Sequence, residues 1–118
     1  MKLSDVLAKV DLIKPNSYSQ SQKKMWAKKI EADIIDYINI HEGEKVKNEF
    51  SLSDNPTLTL DEKYTDVYVY YLVSMIDLAN MEYVLYNNSA LFFNDSFIKW
   101  KNDFKRTHKT KQKTDISV

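Results

Sequence analysis

Apolar residues recur every three or four positions in residues 3–13 and again in residues 26–38, which is the spacing of one face of an α-helix. The first stripe begins at Leu3 and predicts a helix from Ser4 to Ile13, with Ser4 as its N-cap. Pro15 ends this helix, because the residue before a proline is driven out of the helical conformation.

A second stripe predicts a helix from Ser19 or Ser21 to Ile40. Its apolar members recur at helical spacing and are Trp26, Ile30, Ile34, Tyr37 and Ile38. Gly43, the only glycine of the sequence, follows the stripe and is a natural helix stop.

Residues 44–60 do not continue the helical pattern. The segments VKNEFSL and TLTL alternate polar and apolar residues, and SDNP between them is a turn signal. This part of the chain therefore predicts a short β-hairpin or an extended arm.

A long apolar run, YTDVYVYYLVSMIDLANMEYVLYNNS, extends from Tyr64 to Ser89. It is far longer than a normal strand, and Asp66 and Asp77 fall near one side of a helix drawn through it. The run predicts a third helix that ends in a tight turn at residues 87–89.

The third helix is either the centre of the core or both a core element and a contact with another subunit. A buried phenol needs a hydrogen-bond partner, and tyrosine is enriched in protein interfaces. The candidate subunit-interface residues are therefore Tyr64, Tyr68, Tyr70, Tyr71, Tyr83 and Tyr86.

A fourth helix is predicted from Phe93, Phe97, Trp100 and Phe104, which share one face, and it ends near His108. The predicted fold is mainly α, a small bundle of about four helices with the hairpin or arm between the second and third. Residues 1–108 form a single domain, and residues 109–118 form a basic, flexible tail.

The composition agrees with one small globular domain. The 118 residues suffice for one domain, and 43% of them are hydrophobic. The absence of cysteine excludes disulfides, thiolate metal sites and cysteine nucleophiles. Charges interrupt the apolar pattern of the N-terminal segment, and no run is long enough to span a membrane, so we expect a chain that folds in the cytoplasm.

The net charge of zero hides a strong asymmetry. Residues 1–98 contain 10 lysines and 15 acidic residues, whereas residues 99–118 contain seven basic and two acidic residues. The basic end is either a solvated tail or a surface for an acidic partner. The candidate contacts with a partner or with DNA are Lys101, Lys105, Arg106, Lys109, Lys111 and Lys113.

The sequence offers little catalytic chemistry. His41 and His108 lie at predicted helix ends, far apart, where they complement the helix dipole. One glycine cannot form a glycine-rich phosphate-binding loop, and the sequence contains no recognisable Ser–His–Asp arrangement or zinc-binding motif. We expect no enzyme activity, no cofactor and no metal site.

Several ordered segments together resemble a bacteriophage head–tail connector (head-completion or adaptor) protein of the kind found in prophages of Gram-positive bacteria. These segments cover about residues 1–108 and are LAKVDLIKPNSYS, KMWAKKIEADIIDYINIHEG and YTDVYVYYLVSMIDLANMEYVLYNNSALFFNDSFIKW, followed by RTH. The sequence departs from the family at Met81, where a smaller residue, commonly glycine, is expected.

The resemblance implies a small helical subunit that forms a ring, commonly of about a dozen copies, beneath the phage portal. Such a ring extends the DNA channel and is the platform for a stopper or tail-completion protein. The implied partners are further copies of the chain, the portal protein and that stopper, with DNA close by. The implied location is the head–tail junction of the virion, after assembly in the host cytoplasm.

Two other interpretations remain open. Trp100 and Phe104 alternate with Lys101, Lys105 and Arg106, a combination that binds single-stranded nucleic acid in other proteins. A small helical regulatory protein that binds a host partner is the other alternative.

Overall fold

The computed structural model describes residues 1–42 and 46–116, with side chains described up to residue 107 except that of residue 42. The order of helices along the described chain is α1 (Leu3–Ile13), α2 (Gln20–Glu42), α3 (Thr65–Ala79) and α4 (Tyr83–Ile116). The predicted helical bundle is confirmed. Gly43, the predicted helix stop, lies outside the described residues.

Helix α3 is the central element of the bundle, because it packs against each of the other three helices. Apolar side chains cover most of its circumference, which is why the sequence pattern of this segment is so wide. The residues of α3 that are fully buried or nearly so include Val67, Tyr68, Val69, Leu72 and Ile76. Helices α1 and α2 and the aromatic face of α4 complete the core around them.

The start of α1 differs from the prediction. Lys2, not Ser4, is the N-cap residue, and its backbone N–H donates to the Asp5 carboxylate at 3.3 Å. Ser4 instead contacts the distant Asn55, whose amide nitrogen donates to Ser4 Oγ at 3.0 Å. A partner from another part of the chain thus replaces the local capping contact of the serine.

The segment between α2 and α3 is the extended arm rather than the hairpin. Within residues 46–64 the structure contains two 3-10 turns, Phe50–Leu52 and Glu62–Tyr64, and no strand pair. The arm pairs with the N-terminus through one bridge, between Lys2 and Thr57, and Leu58 donates to the Met1 carbonyl at 2.9 Å. The apolar residues of the alternating TLTL segment, Leu58 and Leu60, are buried in the core, so the pattern is explained without a hairpin.

The long apolar run is broken at Asn80–Glu82, earlier than the predicted turn at residues 87–89. The Glu82 N–H donates to the Asp77 carbonyl at 2.9 Å, and the Met81 N–H donates to the Leu78 carbonyl at 3.0 Å. These two bonds form a Schellman motif, in which the residue after the C-cap is left-handed. Met81 has that conformation, with φ of 59°.

Residues 87–89 lie inside α4 and do not form the predicted turn, because their polar side chains make other contacts or face solvent there. Ser89 is buried, and its hydroxyl donates to the Asp77 carboxylate at 2.8 Å. Asn87 and Asn88 are exposed on the same helix. Ser89 therefore joins α3 to α4, and the two asparagines lie on the exposed surface of α4. None of the three ends the helix.

Helix α4 continues to Ile116, beyond the predicted end near His108. At about 1.5 Å per residue its 34 residues extend for roughly 50 Å. This length approaches the longest dimension of the chain, 56 Å. Within the described chain, none of the helices combines the length and the apolar character needed to cross a bilayer.

Candidate functional site

Two of the six candidate tyrosines are buried inside the chain. Tyr68 is completely buried, and Tyr71 is only 8% exposed. The Tyr68 hydroxyl donates to Glu31 at 2.7 Å and accepts the Leu60 N–H at 3.1 Å. Burial, together with the charge of Glu31, raises the pKa of Tyr68 well above its ordinary value. Both tyrosines are core residues and leave little or no side-chain surface exposed on the chain.

Two other candidate tyrosines are half-buried and make contacts within the chain. The Tyr64 hydroxyl donates to the Asp103 carboxylate at 2.7 Å, which joins the arm to α4. The Tyr70 ring packs on Phe92, with ring centroids 5.3 Å apart. Tyr86 is half-buried and Tyr83 is 59% exposed. Of the six candidates, Tyr83 therefore offers the largest exposed fraction.

The basic candidates differ in their surroundings. The Lys101 ammonium lies 4.3 Å from the centroid of the Phe97 ring, so this lysine covers the aromatic face of α4. Arg106 is paired with Asp103 at 2.7 Å, and Lys105 is exposed. The side chains of Lys109, Lys111 and Lys113 lie outside the described residues.

The predicted aromatic face of α4 packs into the core. Trp100 is 4% exposed and stacks on Phe97 with ring centroids 5.7 Å apart. Tyr37 of α2 contacts both Trp100 and Phe104. Since Trp100 is buried, it has no free ring face for a nucleic-acid base.

The opposite side of α4 carries an exposed apolar row that sequence reasoning missed. Val84, Leu91 and Ile98 are 75%, 61% and 54% exposed, and they are spaced seven residues apart. A seven-residue spacing keeps side chains on one side of a helix, with a drift of only about 20° per repeat. We call these three residues the α4 ridge. The heptad spacing of these residues is visible in the sequence, but the interface prediction rested on tyrosines and did not include them.

The α4 ridge is flanked by polar side chains, which are mostly asparagines and include one acidic and one basic residue. The flanking residues comprise Asn87, Asn88, Asn94, Asp95, Lys101 and Asn102, and all of them except Lys101 are exposed. Single exposed apolar residues are ordinary, but an ordered row on one helix face is typical of a helix-packing surface.

A shallow apolar groove lies beside the ridge, where the end of α1 meets α3 and α4. Its volume is about 220 Å³, and its apolar walls are formed by Ile13, Tyr70, Val73, Leu85 and Phe92. Lys14, Asp77, Asn88 and Ser89 supply its polar lining. We call this feature the α1–α4 groove.

An ion pair between the half-buried Lys14 and the buried Asp77 lines part of the α1–α4 groove. The Lys14 ammonium lies 3.1 Å from the Asp77 carboxylate and 3.3 Å from that of Glu82. The contact with Asp77, reinforced by Glu82, raises the pKa of Lys14. Because Ser89 also donates to Asp77, this cluster fixes the end of α1 against the α3–α4 junction.

The described residues do not assemble a metal centre. Among the side chains that the structure describes, no three His, Cys, Asp or Glu residues lie close enough to hold a metal ion. His41 packs on the Tyr37 ring, with centroids 4.2 Å apart, and the His108 side chain lies outside the described residues. The features with the strongest functional character are therefore the α4 ridge and the α1–α4 groove.

No family model, no curated protein and no solved structure matches the chain.

Proposed function

We propose that this protein is a structural subunit of a bacteriophage head–tail junction, where it forms a ring between the portal and the tail. The observation that carries the proposal is the exposed α4 ridge, an apolar row on the side of α4 that faces away from the core. Together with the α1–α4 groove, it supplies apolar surface for protein contacts. The resemblance of residues 1–108 to connector proteins supports the head–tail junction as the place where these contacts form.

In this proposal the partners are other copies of the chain, in a ring of about a dozen, together with the portal and a stopper or tail-completion protein. The basic end of α4 contacts acidic portal surface or lies close to the packaged DNA. Lys105 is exposed on α4, and Lys109, Lys111 and Lys113 follow it in the sequence.

The proposal is tested by quantitative mass spectrometry of purified, DNA-filled phage particles from the source. Copies of this chain are counted against copies of the major capsid protein in the same particles. We expect a few to about a dozen copies per particle, as for one ring at a single vertex. Absence from intact, tailed particles would contradict the proposal.

A regulatory protein that binds a host protein is the second candidate, because the same exposed ridge suits a helical partner. Such a protein is absent from assembled particles, and it is recovered instead in a complex with its host target. A nucleic-acid-binding module is less well supported, since Trp100, one of its two aromatic candidates, is buried in the core.

A further inference from the structure

We infer that the α4 ridge of one copy seats in the α1–α4 groove of the next copy, so that the chain associates with itself head to tail. This inference names the two faces that meet in the proposed ring, and its biological setting rests on the proposed function. The contact itself is argued from the described side chains alone.

The two surfaces match in chemistry, since one is a row of exposed aliphatic side chains and the other is a largely apolar groove. The α4 ridge is convex and presents three aliphatic side chains, Val84, Leu91 and Ile98, each more than half exposed. The α1–α4 groove is concave, and its walls are largely apolar. Its volume of about 220 Å³ is below the roughly 300–1,000 Å³ of a typical small-molecule pocket. A cavity of that size suits one or two aliphatic side chains, as in the pockets that anchor protein interfaces.

The ridge cannot occupy the groove of its own molecule. Leu91 of the ridge and Leu85 and Phe92 of the groove belong to the same rigid helix. At 3.6 residues per turn, these two sets point about 100° apart around the helix axis. Any ridge that fills the groove must therefore come from another molecule.

Charge favours another copy of the chain as that molecule. Residues 1–98 have a net charge of −5, and residues 99–118 have a net charge of +5. A ridge seated in a neighbour carries the basic end of the same helix along that neighbour's acidic body. Around Val84 and Leu91 the only charged flanking residue on α4 is Asp95, so little charge is desolvated where these two side chains dock.

Two different surfaces related in this way make a heterologous contact. Such a contact leaves a free ridge at one end of the pair and a free groove at the other, so it propagates until rotation closes a ring. A ridge-to-ridge contact would instead stop at a twofold dimer. This difference makes the inference testable in solution.

The test uses the full chain with a lysine placed in each surface separately. Leu91→Lys disables the ridge, and Ile13→Lys disables the groove from α1, away from the ridge helix. Sedimentation velocity should show concentration-dependent association of the wild-type chain. Each variant alone should associate at least about tenfold more weakly. A one-to-one mixture should recover dimers, since each pair still contains one intact ridge and one intact groove.

Met25→Lys is the matched control, because Met25 is 67% exposed on α2, a helix that lines neither surface. It should associate like the wild type, and circular dichroism should show that all three variants remain folded. The inference is overturned by a wild-type chain that stays monomeric at all concentrations, by an Ile13→Lys variant that associates normally, or by a mixture that stays monomeric.

Cross-linking gives a second measurement that detects a weak contact. The chain has no cysteine, so Leu91→Cys and Ile13→Cys introduce single thiols. Under oxidation, a mixture of the two variants should form a mixed disulfide dimer several-fold faster than either variant forms its own dimer. Equal rates would overturn the inference. Recovery in mixtures combined with absence from phage particles would retain this contact and reject the connector setting.

Discussion

The Tyr68 hydroxyl donates a 2.7 Å hydrogen bond to the Glu31 carboxylate inside the bundle, joining α3 to α2. The other oxygen of Glu31 accepts the backbone N–H of Thr59 at 2.9 Å and its hydroxyl at 3.0 Å. Leu60 donates in turn to Tyr68. One buried polar network thus fixes the arm to the core, and every donor in it has a partner.

Replacing Tyr68 by phenylalanine should reduce the free energy of unfolding by about 2 kcal/mol. The variant keeps the ring but leaves one oxygen of the buried Glu31 and the Leu60 N–H without their partner, and hydrogen bonds to charged groups contribute roughly 1.5–3 kcal/mol. Urea denaturation followed by circular dichroism measures the change. Tyr83→Phe is the control, because Tyr83 is 59% exposed and should change stability by less than about 0.5 kcal/mol. Equal effects of the two substitutions would contradict this account.

The bundle should lose stability as the pH rises above about 10. Burial raises the pKa of Tyr68 and of Tyr71 above the ordinary value of 10.0, and the contact with Asp77 raises that of Lys14 above 10.5. In that range the folded chain binds more protons than the unfolded chain, so the free energy of unfolding falls with increasing pH.

The alkaline slope is measured by urea denaturation at several pH values between about 9 and 11. Each group that is protonated in the fold and ionised in the unfolded chain contributes up to about 1.4 kcal/mol per pH unit. The Tyr68→Phe variant should therefore show a shallower slope than the wild type by about that amount. An unchanged slope would show that Tyr68 ionises freely in the folded chain.

Met81→Gly should stabilise the protein by roughly 0.5–1 kcal/mol. Met81 has φ of 59°, a conformation that costs a residue with a Cβ about 1–2 kcal/mol. Glycine removes that cost, although its greater freedom in the unfolded chain offsets part of the gain. Thermal unfolding of Met81→Gly is compared with that of Met81→Ala, which keeps the Cβ and should give no gain. Equal melting temperatures for the two variants would reject the explanation.

The helices were largely predictable from sequence because burial imposes a period on their residues. The break at Asn80–Glu82 was missed, since a methionine in the left-handed position carries no local signal for a helix end. The turn predicted at residues 87–89 failed because Ser89 has a distant partner, Asp77, that no local pattern reveals.

The candidate site was predicted less well than the fold. Tyrosine composition favoured an interface, yet Tyr68 and Tyr71 are needed inside the bundle. The α4 ridge is visible in the sequence as a seven-residue spacing, but only the folded structure shows that Leu91 faces away from the core. The groove is lined by residues of α1, α3 and α4 that are far apart in the sequence, so no single segment predicts it.

Asp11→Asn should destabilise the protein by about 1–2 kcal/mol at neutral pH. Lys23 is almost completely buried, and its ammonium lies 2.7 Å from the Asp11 carboxylate, so the variant leaves a buried cation without its counter-ion. The effect is below that of a fully buried pair, because the Asp11 side chain is 39% exposed. Urea denaturation measures it, with Asp36→Asn as the control, because Asp36 is exposed on α2.

Acid stability gives a second measure of the same pair. Burial alone would raise the pKa of Asp11, but hydrogen bonds from Lys23 and Asn16 outweigh it and hold that pKa below its ordinary value of 3.8. The stabilisation is present above that value and is lost as the pH falls through the lower pKa of the folded chain. The wild type should therefore lose more stability on acidification than Asp11→Asn, and parallel curves would contradict the assignment.

Deletion of residues 107–118 should leave the bundle stable while weakening its docking to the portal. Trp100 is buried and Phe104 packs against the core, and both precede the deleted segment, so the free energy of unfolding should change by less than about 0.5 kcal/mol. The segment carries Lys109, Lys111 and Lys113, whose loss weakens attraction to acidic surface.

Binding of the deleted chain to purified portal protein is measured at low and moderate salt. A K109Q/K111Q/K113Q variant of full length separates charge from chain length. If charge carries the contact, this variant and the deletion should lose affinity to a similar degree, and the loss should shrink as salt rises. Unchanged affinity of the deleted chain would reject a role for the basic end in docking to the portal, and it would leave the proposed ridge-to-groove contact to be judged by its own tests.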